Sequence, residues 1–367
     1  LDDTSPQDFS WDLRELYLTW QLKYGEIRIG KQIHSWGSVD GNSPIDNLNA
    51  FDYYYLFESG NNQKIGVLST AGDLYFGSWK LGFSLSPIHN TNRLPINDPE
   101  FPVDLPTSPR ATQVIEVNKP IELGISMAKS FNKGDVKISY FDGYDRVFSL
   151  SGVNNYLGFG ANTRLDTVFC YRKTEMLGIG AVFFLGNLTL RGDVAHFNTK
   201  DPNKSINGRS YNDEVANLMG IATQFTELDT SLHFMVKAEY YQANIQFEYE
   251  LPWDIQIAGQ YIKYDTLNYF DDPPTAELAL PDIESDFKPS DYFFPGLGTN
   301  IAIMTKSVLL LDIKKTFNDY KMELNVKTMM DQIHSGKLIE IGLEYDVSES
   351  LNSYLAVTKV FGDDSQD

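Results

Sequence analysis

Residues 26–36 hold the first side chains that could do chemistry, because polar and charged groups recur there at every second position. Alternation along an extended chain points Ile27 and Ile29 to one side. The residues that it points to the opposite side are Arg28, Gly30, Gln32, His34 and Trp36. Such a row could form a polar wall that contacts a solute. It could equally be structural, with Arg28 paired to an acidic neighbour such as Glu15.

Catalytic patterns are weak throughout the sequence. The five histidines are scattered, without the spacing of a zinc site, at His34, His89, His196, His233 and His334. Neither a Gly-x-Ser-x-Gly elbow nor a phosphate-binding glycine loop occurs. His196 comes close to Asp193, but three residues of an alternating segment place the two on opposite faces. We therefore predict that the chain is not an enzyme and that it has no resident cofactor or metal.

The elements that must position these residues are strands. From Tyr241 to Leu251 the odd positions are apolar or aromatic and all the even ones are polar or charged. This is the pattern of a strand with one apolar and one polar face. The same alternation recurs in residues 15–22, 320–327 and 339–347, and we count about 14 such strands.

The connections between these strands are alternately short and long. Tight turns are expected at Tyr24-Gly25, Gly77-Ser78, Asn132-Lys133-Gly134, Gly186-Asn187, Pro252-Trp253, Asn318-Asp319 and Ser348-Glu349-Ser350. Long polar segments occupy roughly 36–62, 88–118, 199–232 and 268–299. Short turns at one end and long loops at the other are typical of outer-membrane β-barrels, as are aromatic residues beside the turns. A soluble β-sandwich of this many long strands would be unusually large.

Composition agrees with this interpretation. The formal net charge of −20 excludes a nucleic-acid binder, which needs a basic surface. The chain nevertheless holds 21 Tyr, 23 Phe and 5 Trp, which a lipid-facing surface with aromatic girdles explains. We expect one all-β domain over residues 1–367: an antiparallel up-and-down transmembrane barrel in a Gram-negative outer membrane.

The stretch from Leu13 to Asp46 carries Arg-x-Gly-Lys-Gln, then Trp-Gly and Asp-Gly. It resembles an uncharacterised family of porin-like bacterial outer-membrane proteins, distantly similar to alginate-export and phosphate-selective porins. Further stretches that fit this family lie in residues 85–95, 139–145 and 176–195. The resemblance implies an outer-membrane location and a transport role. It also implies one additional strand at each end of this numbering, which would make about 16 strands.

Residues 38–60 form the loop of greatest interest. Ser43 is a good helix N-cap and Pro44 suits a first turn, so a short helix is predicted to start here. Two interpretations stay open. The loop could fold into the lumen as a constriction, with Asp40 and Asp46 on its polar side. It could instead be an extracellular cap packed on its own aromatic residues.

Three further features have unremarkable explanations that we favour. Residues 212–225 show helical spacing inside a long loop, which predicts a helix lying on other loops. The acidic residues of 271–291 could bind Ca²⁺ or Mg²⁺, but a solvated loop is the default because the spacing is not that of an EF-hand. Cys170, the one cysteine, is expected to be a small buried or lipid-side residue.

The predicted pore-lining or constriction residues combine both signs of charge. They are Arg28, Gln32, His34, Trp36, Asp40, Asp46, Lys137, Arg191, Asp193, Lys237, Glu239, Glu340 and Glu344. Mixed signs favour a narrow or plugged lumen over a strongly ion-selective one. Lys31 is the exception, because alternation turns it towards lipid, so it needs a bulge or a position near the membrane surface.

These patterns predict a porin-like channel or transporter for a small solute or a lipid-like molecule. The alternative is a non-conducting barrel that anchors or completes a multi-protein assembly. The partners expected are the lipid bilayer, lipopolysaccharide, and either further copies of the chain or other outer-membrane or periplasmic proteins.

Overall fold

The computed structural model describes residues 13–55, 60–96, 98, 109, 113–118, 120–158, 163–202, 225–271, 290, 293–317, 321–348 and 351–362. Its strands are β1 (Leu16–Leu22), β2 (Gly25–Gln32), β3 (Ala50–Phe51), β4 (Lys64–Ile65), β5 (Val67–Phe76), β6 (Trp79–Ser86), β7 (Val114–Ile115), β8 (Glu122–Phe131), β9 (Gly134–Tyr144), β10 (Ser149–Gly158), β11 (Thr163–Cys170), β12 (Lys173–Leu185), β13 (Leu188–Lys200), β14 (Phe225–His233), β15 (Lys237–Leu251), β16 (Ile255–Phe270), β17 (Ser307–Phe317), β18 (Met322–Asp331), β19 (Lys337–Ser348) and β20 (Leu351–Phe361). Short 3-10 turns occur at Tyr53–Tyr55, Gly60–Gln63 and Asn300–Ile303.

Fourteen of these strands form one sheet, as the alternation predicts. Its order is β1-β2-β5-β6-β8-β9-β12-β13-β15-β16-β17-β18-β19-β20, so every strand pairs with its neighbours along the chain. All of its pairings are antiparallel. The prediction of an all-β, up-and-down barrel architecture is confirmed. No helix among the described residues is long and apolar enough to cross a membrane.

Alternation assigns the two faces of this sheet. In β12, Leu177 and Ile179 are exposed on the outer face, while Met176 and its inward neighbours are buried. The buried interior is formed by a loop rather than by a second sheet. Residues 33–49 contact inward side chains from β5 to β16, which is only achieved if the sheet curls around them.

The ends of the sheet are β1 and β20, and within the described ranges these two strands are not paired with each other. Both are exposed along their whole length. The expectation of about 16 strands stays a prediction, as does the single-domain organisation of residues 1–367.

The long connections carry structure that alternation did not predict. A second sheet of order β14-β10-β11-β7 lies in the connections beyond β6, β9 and β13, and β7 joins β11 in parallel. Cys170 ends β11 and is fully buried, which agrees with the expected small buried residue. Its thiol lies 3.7 Å from Oδ1 of Asp201.

One local prediction is corrected. Residues 43–46 contain only a turn and no helix: the Ile45 amide donates to the Ser43 hydroxyl as at an N-cap, but the Asn47 side chain takes the Pro44 carbonyl that a helix would use. Lys31, which alternation turns outward, lies near the end of its strand, since β2 ends at Gln32. Residues 212–224 of the predicted helix lie outside the described residues, whereas Phe225 begins β14, and nearly all of the acidic loop 271–291 also lies outside them.

Candidate functional site

The inserted segment, residues 33–49, is anchored to the inner wall by one carboxylate. Oδ2 of Asp193 on β13 accepts hydrogen bonds from the Ser38 amide at 2.8 Å and the Val39 amide at 3.1 Å. It also accepts one from the Ser43 hydroxyl at 2.6 Å. Three donors to one charged oxygen hold the backbone of the segment firmly, because hydrogen bonds to ionised acceptors are stronger than neutral ones.

Glycines on the inner face of β12 make this approach possible. A Cβ at Gly178 would lie 2.3 Å from the Ile45 side chain, and one at Gly180 would lie 2.3 Å from both Asp193 and Ser38. Any larger residue at these two positions would push the segment away from the wall. The glycines are therefore a sequence signal for the inserted segment that alternation alone does not show.

The tip of the segment is held by the two strands that follow β13 in the sheet. The Asp40 amide donates to Oε1 of Gln246 on β15 at 2.8 Å, and Nε2 of Gln260 on β16 donates to the Asp40 carbonyl at 2.8 Å. Asn244 donates to the Asn42 carbonyl at 2.9 Å. Neutral amides thus satisfy both the donors and the acceptors of a backbone that has no regular structure.

An apolar cluster seals much of the lumen beside these polar anchors. From the inserted segment it takes Trp36, Ile45 and Leu48, and from a second inward segment Phe293 and Leu297. The strands contribute Phe141, Met176, Ala195, Phe197, Ala238 and Tyr240. The Phe197 and Tyr240 rings stack with centroids 4.6 Å apart. This part of the interior is packed like a protein core and is not a water-filled pore.

A buried ion pair links the two ends of the inserted segment. Nζ of Lys64 lies 2.5 Å from Oδ2 of Asp46 and also donates to the His34 carbonyl at 2.7 Å. The His34 ring lies 3.0 Å from the Ser69 hydroxyl. Burial lowers the pKa of His34 to about 4, so the ring is neutral at neutral pH.

A cavity of about 510 Å³ remains between the tip of the segment and strands β15 to β19; we call it the side cavity. Four apolar residues form one part of its wall: Ile301, Leu310, Met329 and Leu338. Six charged residues line the other part: Asp40, Glu248, Asp312, Lys314, Lys327 and Glu340. Lys327 pairs with Glu340 at 3.3 Å, and Arg191 holds Glu248 at 3.0 Å.

Most of the predicted site residues lie at the inserted segment or at the side cavity. Gln32, His34, Trp36 and Asp46 are buried by the inserted segment and do not face an open lumen. Lys137 also serves that segment, donating to the Trp36 carbonyl at 2.7 Å. Asp40, Arg191 and Glu340 meet at or beside the side cavity. Glu344 lies four residues beyond Glu340 on the same face of β19 and accepts a hydrogen bond from Asn352 at 2.5 Å.

Arg28 faces inward, as expected, but its partner differs from the one suggested by the sequence. It pairs with Asp73 at 3.2 Å and Glu26 at 3.6 Å. Glu15 instead accepts a hydrogen bond from the Ile33 amide at 2.8 Å. Pairing across β2 and β5 decides this, because Arg28 stands opposite Ala71, two residues from Asp73 on the same face.

The inward assignment of Lys237 and Glu239 is wrong. Along β15 the buried inner positions are the even ones, including Ala238 and Tyr240, so both charged residues face outward. They lie at the long-loop end of the strand, where Glu239 accepts from Asn268 at 2.8 Å. The irregularity between Glu239 and Tyr240 skips a residue on β16 and leaves the alternation of β15 unchanged.

Several residues that matter here were not singled out from the sequence. Gln246 and Gln260 form hydrogen bonds with the backbone of the tip of the inserted segment, and Asp312 lines the side cavity. All three occupy polar positions of alternating strands. Alternation could therefore place them on the inner face, but nothing local indicates which inner residues meet the loop.

Comparisons with known proteins do not identify a family for this chain. No model of a known protein family matches the chain, and no curated protein matches it. OccK8 (OprE) of Pseudomonas aeruginosa is 10% identical, with a TM-score of 0.41 over 94% of this chain and 75% of that one. A porin refined at 1.8 Å is 10% identical, with a TM-score of 0.36 over 94% of this chain and 80% of that one. The barrel assignment therefore rests on strand order and on the two faces of the sheet, and the family resemblance of Leu13–Asp46 stays a prediction.

Proposed function

We propose that this protein is a Gram-negative outer-membrane barrel that passes a small solute through the side cavity. The observation that carries the proposal is the inserted segment, which crosses the interior yet leaves about 510 Å³ beside a wall of mixed charge. A segment fastened by Asp193, Gln246 and Gln260 narrows the lumen to this one side. Selectivity would then come from the few charged groups at the narrow point.

The outer surface supports the membrane location. Leu177, Ile179, Val194 and Ile245, on strands that are paired on both sides, are 52–61% exposed on outward positions. A continuous apolar surface of this kind needs an apolar covering, which a bilayer provides. The lipid bilayer and lipopolysaccharide are therefore the partners that we propose for this face.

Planar-bilayer recording of the purified chain tests the proposal. We expect discrete, small conductance steps from the wild type. Lys327→Glu removes a cation from the cavity wall, so in a KCl gradient its reversal potential should move towards that of K⁺. Lys23→Glu, in the short turn between β1 and β2, is the matched control and should leave the reversal potential unchanged.

Two outcomes would contradict this proposal. A wild-type barrel without any defined open state would favour the alternative of a non-conducting anchor or structural subunit. The apolar cluster around Trp36 and Phe197 is the observation that favours this alternative, because it resembles a core and not a channel. Equal shifts from Lys23→Glu and Lys327→Glu would show that the charge effect does not arise in the lumen.

A further inference from the structure

The side cavity has two chemically distinct rows on neighbouring strands. Pairing places Leu310 opposite Met329, and Met329 opposite Leu338. Two residues nearer the short turns, Asp312 stands opposite Lys327, and Lys327 opposite Glu340. Because residues i and i+2 share a face and lie about 7 Å apart, an apolar row runs directly beside a charged one.

Most charges in the second row are already paired. Lys327 contacts Glu340 at 3.3 Å, and Glu340 also accepts from Tyr354 at 3.1 Å and Thr358 at 3.2 Å. Lys314 contacts Glu323 at 3.6 Å. Lys314 and Lys327 both attract Asp312 electrostatically, but neither forms an ion pair with its carboxylate in the described part of the chain.

Asp312 is the exception. Its Oδ1 is buried without a hydrogen-bond partner in the described part of the chain, and its carboxylate makes no ion pair there. The other two carboxylates of the cavity, on Glu248 and Asp40, are held by Arg191 at 3.0 and 3.4 Å. A carboxylate oxygen that is withdrawn from water without a hydrogen-bond partner is costly, and a cationic ligand at this half-buried residue would reduce that cost.

The wall of the side cavity as a whole also carries an excess of negative charge. Its lining residues comprise four carboxylates, on Asp40, Glu248, Asp312 and Glu340, against two lysines, Lys314 and Lys327. Arg191, which pairs with Asp40 and Glu248, reduces this excess to one negative charge. An excess of negative charge inside a low-dielectric wall attracts cations and repels anions. The apolar row beside it would bind a hydrocarbon group through burial of its surface.

We propose that the side cavity binds small amphipathic organic cations, with the ammonium group at Asp312 and the hydrocarbon part against Leu310, Met329 and Leu338. The inference deepens the proposed function, since it names the solute class for the same cavity. It implies an orientation, with the cationic end towards the short turns, because Asp312 lies further along β17 from the long loops than Leu310 does.

Methyl NMR of the full chain in lipid nanodiscs tests this binding without relying on conductance. The methionine methyl groups are labelled with ¹³C and assigned by single Met→Leu substitutions. n-Pentylammonium should shift the Met329 resonance saturably. Met127, exposed on the outer face of β8, is the internal control and should move only if the probe enters the lipid.

Charge is tested with matched probes and variants. n-Pentanoate and n-pentanol should shift Met329 much less than n-pentylammonium does. Asp312→Asn should weaken n-pentylammonium binding about tenfold, as expected for loss of a charge-assisted hydrogen bond. Asp135→Asn, at the short-turn end of β9, should bind like the wild type. Unchanged wild-type resonances of the other methionines would show that each variant is folded.

The outcomes separate this inference from the proposed function. Equal shifts of Met329 with n-pentanoate, or undiminished binding by Asp312→Asn, would overturn the cationic specificity even if the barrel conducts. An absence of any Met329 shift would overturn binding altogether. Saturable binding in a barrel with no open state would uphold the ligand class and reject the transport role.

Discussion

Single side chains here act mainly by holding the inserted segment in place. His34 illustrates this at the residue scale, because its ring is buried against the Ser69 hydroxyl and its carbonyl accepts from Lys64. Asp46, Lys64, Arg28 and Asp73 are the charged groups around the ring, but burial is the largest influence and lowers the pKa of His34 to about 4. The fold therefore favours the neutral imidazole.

Acid should loosen the segment through His34. An unfolded histidine has a pKa near 6.5, so between pH 6.5 and about 4 the opened segment binds a proton that the folded one does not. Stability is therefore full above pH 6.5 and falls as the pH drops through this window. We expect the amide protection factors of residues 34–49, in which the slower intrinsic exchange in acid is already corrected for, to fall between pH 7 and 4.5.

His34→Gln should flatten that dependence, because glutamine can still donate to Ser69 but does not titrate in this range. His196→Gln, on the exposed outer face of β13, is the control and should keep the wild-type dependence. If His34→Gln and the wild type respond to acid identically, another group controls the segment.

At the element scale, the inserted segment is an irregular piece of chain made rigid by the strands around it. Its backbone groups are satisfied by Asp193, Gln246 and Gln260, and its apolar side chains fill the space above Gly178 and Gly180. Without these strand residues, the backbone amides and carbonyls of the segment would be buried inside the barrel without hydrogen-bond partners. Its position is a property of the wall as much as of the loop.

Weakening the main anchor should widen the lumen. Asp193→Asn replaces a charged acceptor of three hydrogen bonds with a neutral amide, which should cost about 1–3 kcal/mol in segment stability. We expect larger or more frequently switching conductance steps in planar bilayers. Asp142→Asn makes the same chemical change on the outer face of β9, where Asp142 pairs with Lys173, and should leave the steps unchanged.

If Asp193→Asn keeps the wild-type conductance steps and the wild-type hydrogen exchange in residues 38–43, this anchor does not hold the constriction. Faster exchange with an unchanged conductance would place the constriction elsewhere in the lumen.

At the scale of the whole molecule, the protein is inverted relative to a soluble one. Apolar side chains such as Leu177, Ile179 and Val194 are exposed on the outside, whereas polar ones such as Gln242 and Asn244 are fully buried inside. The high aromatic content and the net charge of −20 are compatible because they belong to different surfaces. Lipid on the outer face is what makes this arrangement stable in our proposal.

The depth of a charge in that lipid should determine its cost. Ile179→Lys, at the centre of β12, should lower the free energy of unfolding in lipid vesicles by about 2–4 kcal/mol. Leu185→Lys, on the same face at the short-turn end, should cost only about 0–1 kcal/mol. Urea titration followed by tryptophan fluorescence measures both, and equal small costs would argue against a membrane around β12.

The sequence by itself determined the strands, their number in the main sheet, most of the turns and the two faces. These are local properties: alternation has a period of two, and a tight turn needs only two or three residues. It also placed Arg191 and Glu340 on the lumen side, and it left the loop that holds Asp40 between two interpretations. The outward position of Lys237 and Glu239 was equally available from that alternation and was misjudged.

Only the tertiary structure decided where residues 33–49 go and what they leave open. Ser43 binds Asp193 across 150 positions of sequence, and Asn42 meets Gln260 across 218. Contacts of this range depend on which strands become neighbours when the sheet curls, and no local pattern records that. The same curling brings Asp40 to the wall that holds Asp312, and so it forms the side cavity.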